Sequence, residues 1–148
     1  MDGKIEIKRD RSDFYILEVN DKGDTIQFDL TDISLPEKIL KASEELKNID
    51  EDYKNNILQI DKEEISKEEK AKKVIEIDKE FSIKSRKIFD GFMGEGACQK
   101  IFGDANYYGM YIELFEQLEP HFDKMIIKSQ KAKQRLVEKY KPKKSDVM

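Results

Sequence analysis

The chain has 148 residues, of which 41% are charged and 38% hydrophobic, and its net charge is −4. That length suits one domain, and the lean apolar content favours long helices with solvated faces over a compact globule. No run of about 18 apolar residues occurs, and MDGKIEIKRD at the N-terminus lacks an apolar core of signal-peptide length, so a soluble cytoplasmic protein with no membrane partner is expected. The single cysteine excludes an intrachain disulfide. The charge is unevenly placed: residues 1–123 carry 19 basic and 30 acidic side chains, a net of −11, and residues 124–148 carry 9 and 2, a net of +7.

The first 33 residues read as a small antiparallel β-meander. Ile5 and Ile7 share one face, Tyr15, Leu17 and Val19 another, and Ile26, Phe28 and Leu30 follow at the same spacing of two. Asn20-Asp21-Lys22-Gly23-Asp24 between the second and third runs reads as a hairpin turn.

The period then lengthens. Ser34-Leu35-Pro36-Glu37 has the form of a capping box, and Ile39, Ala42, Leu46, Ile49, Tyr53, Ile57 and Ile60 recur at steps of three and four behind it. Ser66-Lys67-Glu68-Glu69 is a second box, followed by Ala71, Val74, Ile77, Phe81, Ile88 and Phe92, with Lys84 breaking the stripe. Two matched helices of about 25 residues joined by a short charged loop predict a long antiparallel hairpin over 34–93. Residues 94–140 then read as a short helix and a long one. Tyr107, Tyr111, Leu114, Phe115, Leu118, Phe122, Met125, Ile126 and Leu136 keep one phase across Pro120, which predicts a kinked C-terminal helix. Residues 141–148 read as a flexible tail. The fold class is therefore mainly α with a small N-terminal β element.

FMGEGACQKIFGD, residues 92–104, holds three of the seven glycines. Gly91 to Gly96 has the first spacing of a phosphate-binding loop, but Ala97-Cys98 stands where Lys-Ser/Thr is needed. Gly94-Glu95-Gly96 lacks the third glycine of a dinucleotide fingerprint and follows a helix instead of a strand. The glycines are better read as helix ends flanking a short helix over 95–102. Any Cys–His pair must be Cys98 with His121, since each residue type occurs once, and nothing in the sequence places them together. One cysteine and one histidine do not make a usual zinc site. The expectation is no enzyme, no metal and no cofactor.

Nine of the fourteen aromatics fall within residues 81–122. Adjacent Tyr107 and Tyr108 cannot both face inward from one helix, and aromatics are enriched where partners bind. The order of parts also resembles a known family. A short β N-terminus leads into a charged helical hairpin, then Phe89-Asp90-Gly91-Phe92-Met93-Gly94-Glu95-Gly96-Ala97-Cys98-Gln99-Lys100-Ile101-Phe102-Gly103, then an aromatic helix with Glu113-Leu114-Phe115-Glu116-Gln117-Leu118. This resembles the tail assembly chaperones of long-tailed phages and prophages of Gram-positive bacteria. The resemblance implies a non-enzymatic protein of the host cytoplasm that binds the tape measure protein and keeps it soluble while the tail tube grows, then is absent from the finished virion. The tape measure protein, the tail tube protein and a second copy of the chain are the expected partners. Phe92, Ile101, Phe102, Tyr107, Tyr108, Tyr111 and Phe115 form the expected contact zone. The competing readings are a permanent structural adaptor assembling through the hairpin, and nucleic-acid binding through the lysines from Lys124 to Lys144.

Overall fold

A computed structural model describes residues 1–140; the expected tail at 141–148 lies outside the described residues. The chain is α+β and mostly helical. A two-stranded antiparallel sheet, β1 (Phe14–Glu18) and β2 (Thr25–Asp29), precedes α1 (Leu35–Lys62), α2 (Lys67–Met93), α3 (Ala97–Phe102) and α4 (Tyr108–Tyr140). No described helix is long and apolar enough to cross a membrane.

The sheet pairs Phe14 with Asp29, Ile16 with Gln27 and Glu18 with Thr25. Its turn is held by the Asn20 side chain, whose Oδ1 accepts from the N–H groups of Lys22 and Asp24 at 2.9 and 3.1 Å. Gly23 takes the left-handed φ of 83° that this turn requires. Ile26, Phe28 and Leu30 are buried, with Tyr15, Leu17 and Val19 packed beside them. The first expected strand does not form: Ile5 and Ile7 are 91% and 81% exposed. Arg9 ties this segment to the end of β2 through Asp29 and Thr31, at 2.8 and 3.0 Å. Asp10 and Asp13 then close a capping box around a single tight turn, Arg11–Asp13, immediately before β1.

The helical hairpin forms as its stripes predict, but the two N-termini differ. Ser66 accepts from the Glu69 N–H at 3.1 Å and caps α2 as expected. Ser34 does not cap α1; its backbone is already helical, and its hydroxyl donates to Asp32 Oδ1 at 2.7 Å instead. Asp32 also accepts from the Ser34 N–H and from Lys38, and these donors, the Ser34 hydroxyl first, hold its carboxyl down at about 2. Gly94 ends α2 with φ 112°, and Gly103 ends α3 with φ 63°.

The buried stripe of α2 runs Phe81, Ser85, Phe89, Met93 at strict steps of four, with Ser82 also buried. Ala71, an expected stripe member, is exposed, and Lys84 lies beside the stripe without interrupting it. On α4 the inner face is Tyr108, Met110, Tyr111, Leu118, Phe122, Met125, Ser129 and Ala132. Tyr107 thus faces outward, 55% exposed, and Leu136 is 39% exposed. The helix is unbroken through Pro120. Proline has no N–H to offer the Glu116 carbonyl, one turn back, and both Glu116 and Pro120 are exposed.

Two later helices are capped by α2. Asp78 accepts from the Tyr108 N–H at 3.1 Å, at the start of α4, and Asp90 accepts from the Cys98 N–H at 2.9 Å, in the first turn of α3. Asp90→Ala is expected to cost about 1–2 kcal/mol, because a buried N–H loses its acceptor. Asp90→Asn keeps an acceptor oxygen and should recover about half of that. Urea unfolding midpoints of the two variants check it; equal losses would mean that the cap is not the cause.

Candidate functional site

A cleft lies beside a small side chain of α2. Along the α2 stripe, Ser85 presents a hydroxymethyl group between Phe81 and Phe89. Beside it, between α1 and α4, lies a cleft of about 260 Å³. Leu46, Ser85, Tyr108, Tyr111, Ile112 and Phe115 line it, and Lys47, Asp50, Glu116 and Glu119 complete its charged part. An apolar pocket with an acidic rim can take an apolar side chain on a basic background.

Tyr108 fixes one wall. Its hydroxyl donates to Asp50 Oδ1 at 3.0 Å, and its ring lies 4.1 Å from Tyr53 and 6.1 Å from Phe81, centroid to centroid. Burial, with the Asp50 carboxylate beside it, pushes the phenol well above its ordinary value. Asp50 also meets Lys54 at 2.9 Å. Tyr111 is held from the other side: its hydroxyl donates to Asn106 Oδ1 at 2.6 Å, and its ring stacks on Phe89 at 6.0 Å. Arg86 reaches the same hydroxyl at 3.5 Å and Gln99 at 3.0 Å. Burial raises the Tyr111 phenol too.

Three of the seven expected contact residues therefore meet at the cleft, namely Tyr108, Tyr111 and Phe115. Tyr108 and Tyr111 are 3% and 2% exposed, so they are walls and floor, not a protruding surface. The other four lie elsewhere. Phe92 packs between Phe28 and Phe122, 5.3 Å from each. Phe102 sits edge-on to Tyr111 at 5.4 Å. Ile101 packs toward Leu17, Val19 and Leu114 at the sheet. Tyr107 points to solvent. Sequence reasoning missed Leu46, Asp50, Ser85 and Ile112. The step of four from Phe81 to Phe89 falls on Ser85 and would have found it; Asp50 has no signal, because a carboxylate on a charged helix reads as solvated.

The thiol of Cys98 is wholly buried, and its Sγ donates to the Arg86 carbonyl at 3.9 Å. Burial and the Asp90 carboxylate push it up to about 12, so it is a neutral core thiol at physiological pH. His121 pairs instead with Tyr15, Nδ1 to hydroxyl at 2.6 Å. Among the described residues no three His, Cys, Asp or Glu side chains gather to hold a metal ion.

Fold and cleft together define a helical-hairpin protein clasped by a third long helix, with a β-hairpin packed against the helices. The chain belongs to DUF6673, a family of unknown function, whose model matches residues 22–146. No curated protein and no solved structure matches the chain.

Proposed function

We propose that this chain is a non-enzymatic tail assembly chaperone of a long-tailed phage or prophage, holding the helical tape measure protein in solution until the tail tube encloses it. The observation that carries the reading is the open cleft between α1 and α4, with an aromatic floor of Tyr108, Tyr111 and Phe115 under the acidic rim of Asp50, Glu116 and Glu119. An amphipathic client helix lays apolar side chains into such a groove at steps of three and four, with basic neighbours meeting the rim. The charged faces of the hairpin keep the complex soluble. The resemblance over residues 89–118 supplies the identity of the client. The chaperone acts in the host cytoplasm and leaves before the virion is complete.

Coexpression tests it. The soluble fraction of the tape measure protein is expected to rise in the presence of this chain, and the two should co-elute on size exclusion. Ile112→Asp with Phe115→Asp, at two half-buried cleft positions, should return the client to the solubility it has alone. Tyr107→Ala, outside the cleft, should leave the rescue intact. A client no more soluble with the wild-type chain than without it overturns the reading; a cleft variant as effective as wild type overturns the site.

A further inference from the structure

The outward face of α4 divides by charge. Residues 108–123 carry four carboxylates and no lysine or arginine, and residues 124–140 carry six lysines and arginines and one glutamate. The helix macrodipole favours this polarity, but its influence is confined to the first and last turns. Glu116, Asp123, Lys124 and Lys131 all lie more than a turn from either end of a 33-residue helix. The dipole does not account for their placement, and of the four only Glu116 borders the cleft.

Glu113, Glu116, Pro120, Lys124, Ile127, Lys131 and Arg135 follow one another at steps of three and four and are all exposed, so they form one solvent-facing stripe. Glu116, Asp123, Lys124, Lys131 and Arg135 take part in no ion pair among the described residues. Because α4 is one continuous helix, its acidic and basic halves cannot meet within a chain.

We propose that two copies of this chain pair through α4, antiparallel and about a two-fold axis lying between Asp123 and Lys124. In that register Asp123 faces Lys124 of the second copy, Glu116 faces its Lys131, and Glu113 reaches its Arg135. Pro120 meets its Ile127, a side chain that is 53% exposed in the single chain. Symmetry repeats every pair, so the contact closes on itself and stops at two copies. The paired stripe from residue 113 to 135 is about 33 Å long. Its apolar content is thin, so the dimer is held mainly by exposed charge and is sensitive to salt. This goes beyond the client reading: no client takes part, the two share only Glu116 at the cleft rim, and the Lys124→Glu, Lys131→Glu chain leaves the cleft untouched, so the failure of one is distinguishable from that of the other.

Sedimentation of the full chain at 50 and 500 mM NaCl tests it. A dimer at low salt that dissociates at high salt is expected. Two charge-reversed chains decide the register, one with Glu116→Lys and Asp123→Lys, the other with Lys124→Glu and Lys131→Glu. Each alone sets like charges together at every reversed pair, and its dissociation constant should rise by about tenfold or more. An equimolar mixture restores every pair and should return to wild-type dimerisation. All four positions are exposed, so circular dichroism should show unchanged helicity. A wild-type monomer at low salt, or a mixture no more associated than its separate components, overturns the proposal.

Discussion

Tyr108→Ala is expected to cost about 3–5 kcal/mol, the scale for removing a buried aromatic ring from a packed core. Total stabilities of single domains are about 5–15 kcal/mol, so this one change should bring the chain close to unfolding. Three helices meet at the residue. The ring packs on Tyr53 of α1 and Phe81 of α2, the hydroxyl donates to Asp50 of α1, and the backbone N–H donates to Asp78 of α2. Alanine keeps the last contact alone. Tyr108→Phe keeps the ring and loses a hydrogen bond to a carboxylate, worth about 1.5–3 kcal/mol. The lower end applies, because Lys54 still engages Asp50. Urea unfolding of both variants separates packing from hydrogen bonding. If phenylalanine costs as much as alanine, the ring contacts are not what joins the helices here.

The second large effect appears in alkali. Burial raises the Cys98 thiol to about 12, and it raises the Tyr108 and Tyr111 phenols above 10.0. In the unfolded chain these groups ionise near their ordinary values of 9.0 and 10.0. A group whose folded value is raised binds its proton more tightly when folded. Its stabilising share is therefore complete below pH 9 for the thiol and below pH 10 for the phenols, and declines as pH rises toward the folded values. Each group contributes at most about 1.4 kcal/mol per pH unit, and only between its unfolded and folded values, so the thiol acts first and the phenols add to the fall above about pH 10. The urea midpoint should hold up to about pH 9 and then fall steeply. Cys98→Ala should move the start of that fall from about pH 9 to about pH 10. A midpoint that stays flat to pH 11 would mean that these groups are as accessible in the folded chain as in the unfolded one.

Why some of this was legible in the sequence and some was not comes down to what each stretch spends its side chains on. The α1 stripe from Ile39 to Ile60 could be read because every member is apolar or aromatic and the helix is long enough to repeat its period many times. On α2 the same reading slipped at Lys84, because the inward positions are Ser82 and Ser85; small hydroxyls bury in a close helix contact, but they carry no hydrophobic signal. Since Ser85 also lines the cleft, the residue that hides the stripe is one that the cleft exposes. At the start of α4 the choice between Tyr107 and Tyr108 rested on which neighbours waited inside. Asp50, Tyr53, Asp78 and Phe81 are 27 or more positions away in the chain and decide it for Tyr108. Ile5 and Ile7 carry the alternation of a strand, but among the described residues the sheet has only β1 and β2 and no strand lies beside them.

The two caps that α2 lends to its successors set an order of events. An isolated helix start leaves N–H groups without partners, and forming the first turn is the unfavourable step in making a helix. Here α3 and α4 receive an acceptor at that step from Asp90 and Asp78, which face them only once α2 has formed. The α1–α2 hairpin joins neighbours in sequence through a loop of four residues, 63–66, so it closes with little loss of chain freedom. The hairpin is thus expected to form first and to serve as the template on which the C-terminal half is started. As the chain emerges from a ribosome, the part that needs the template is made after the template itself.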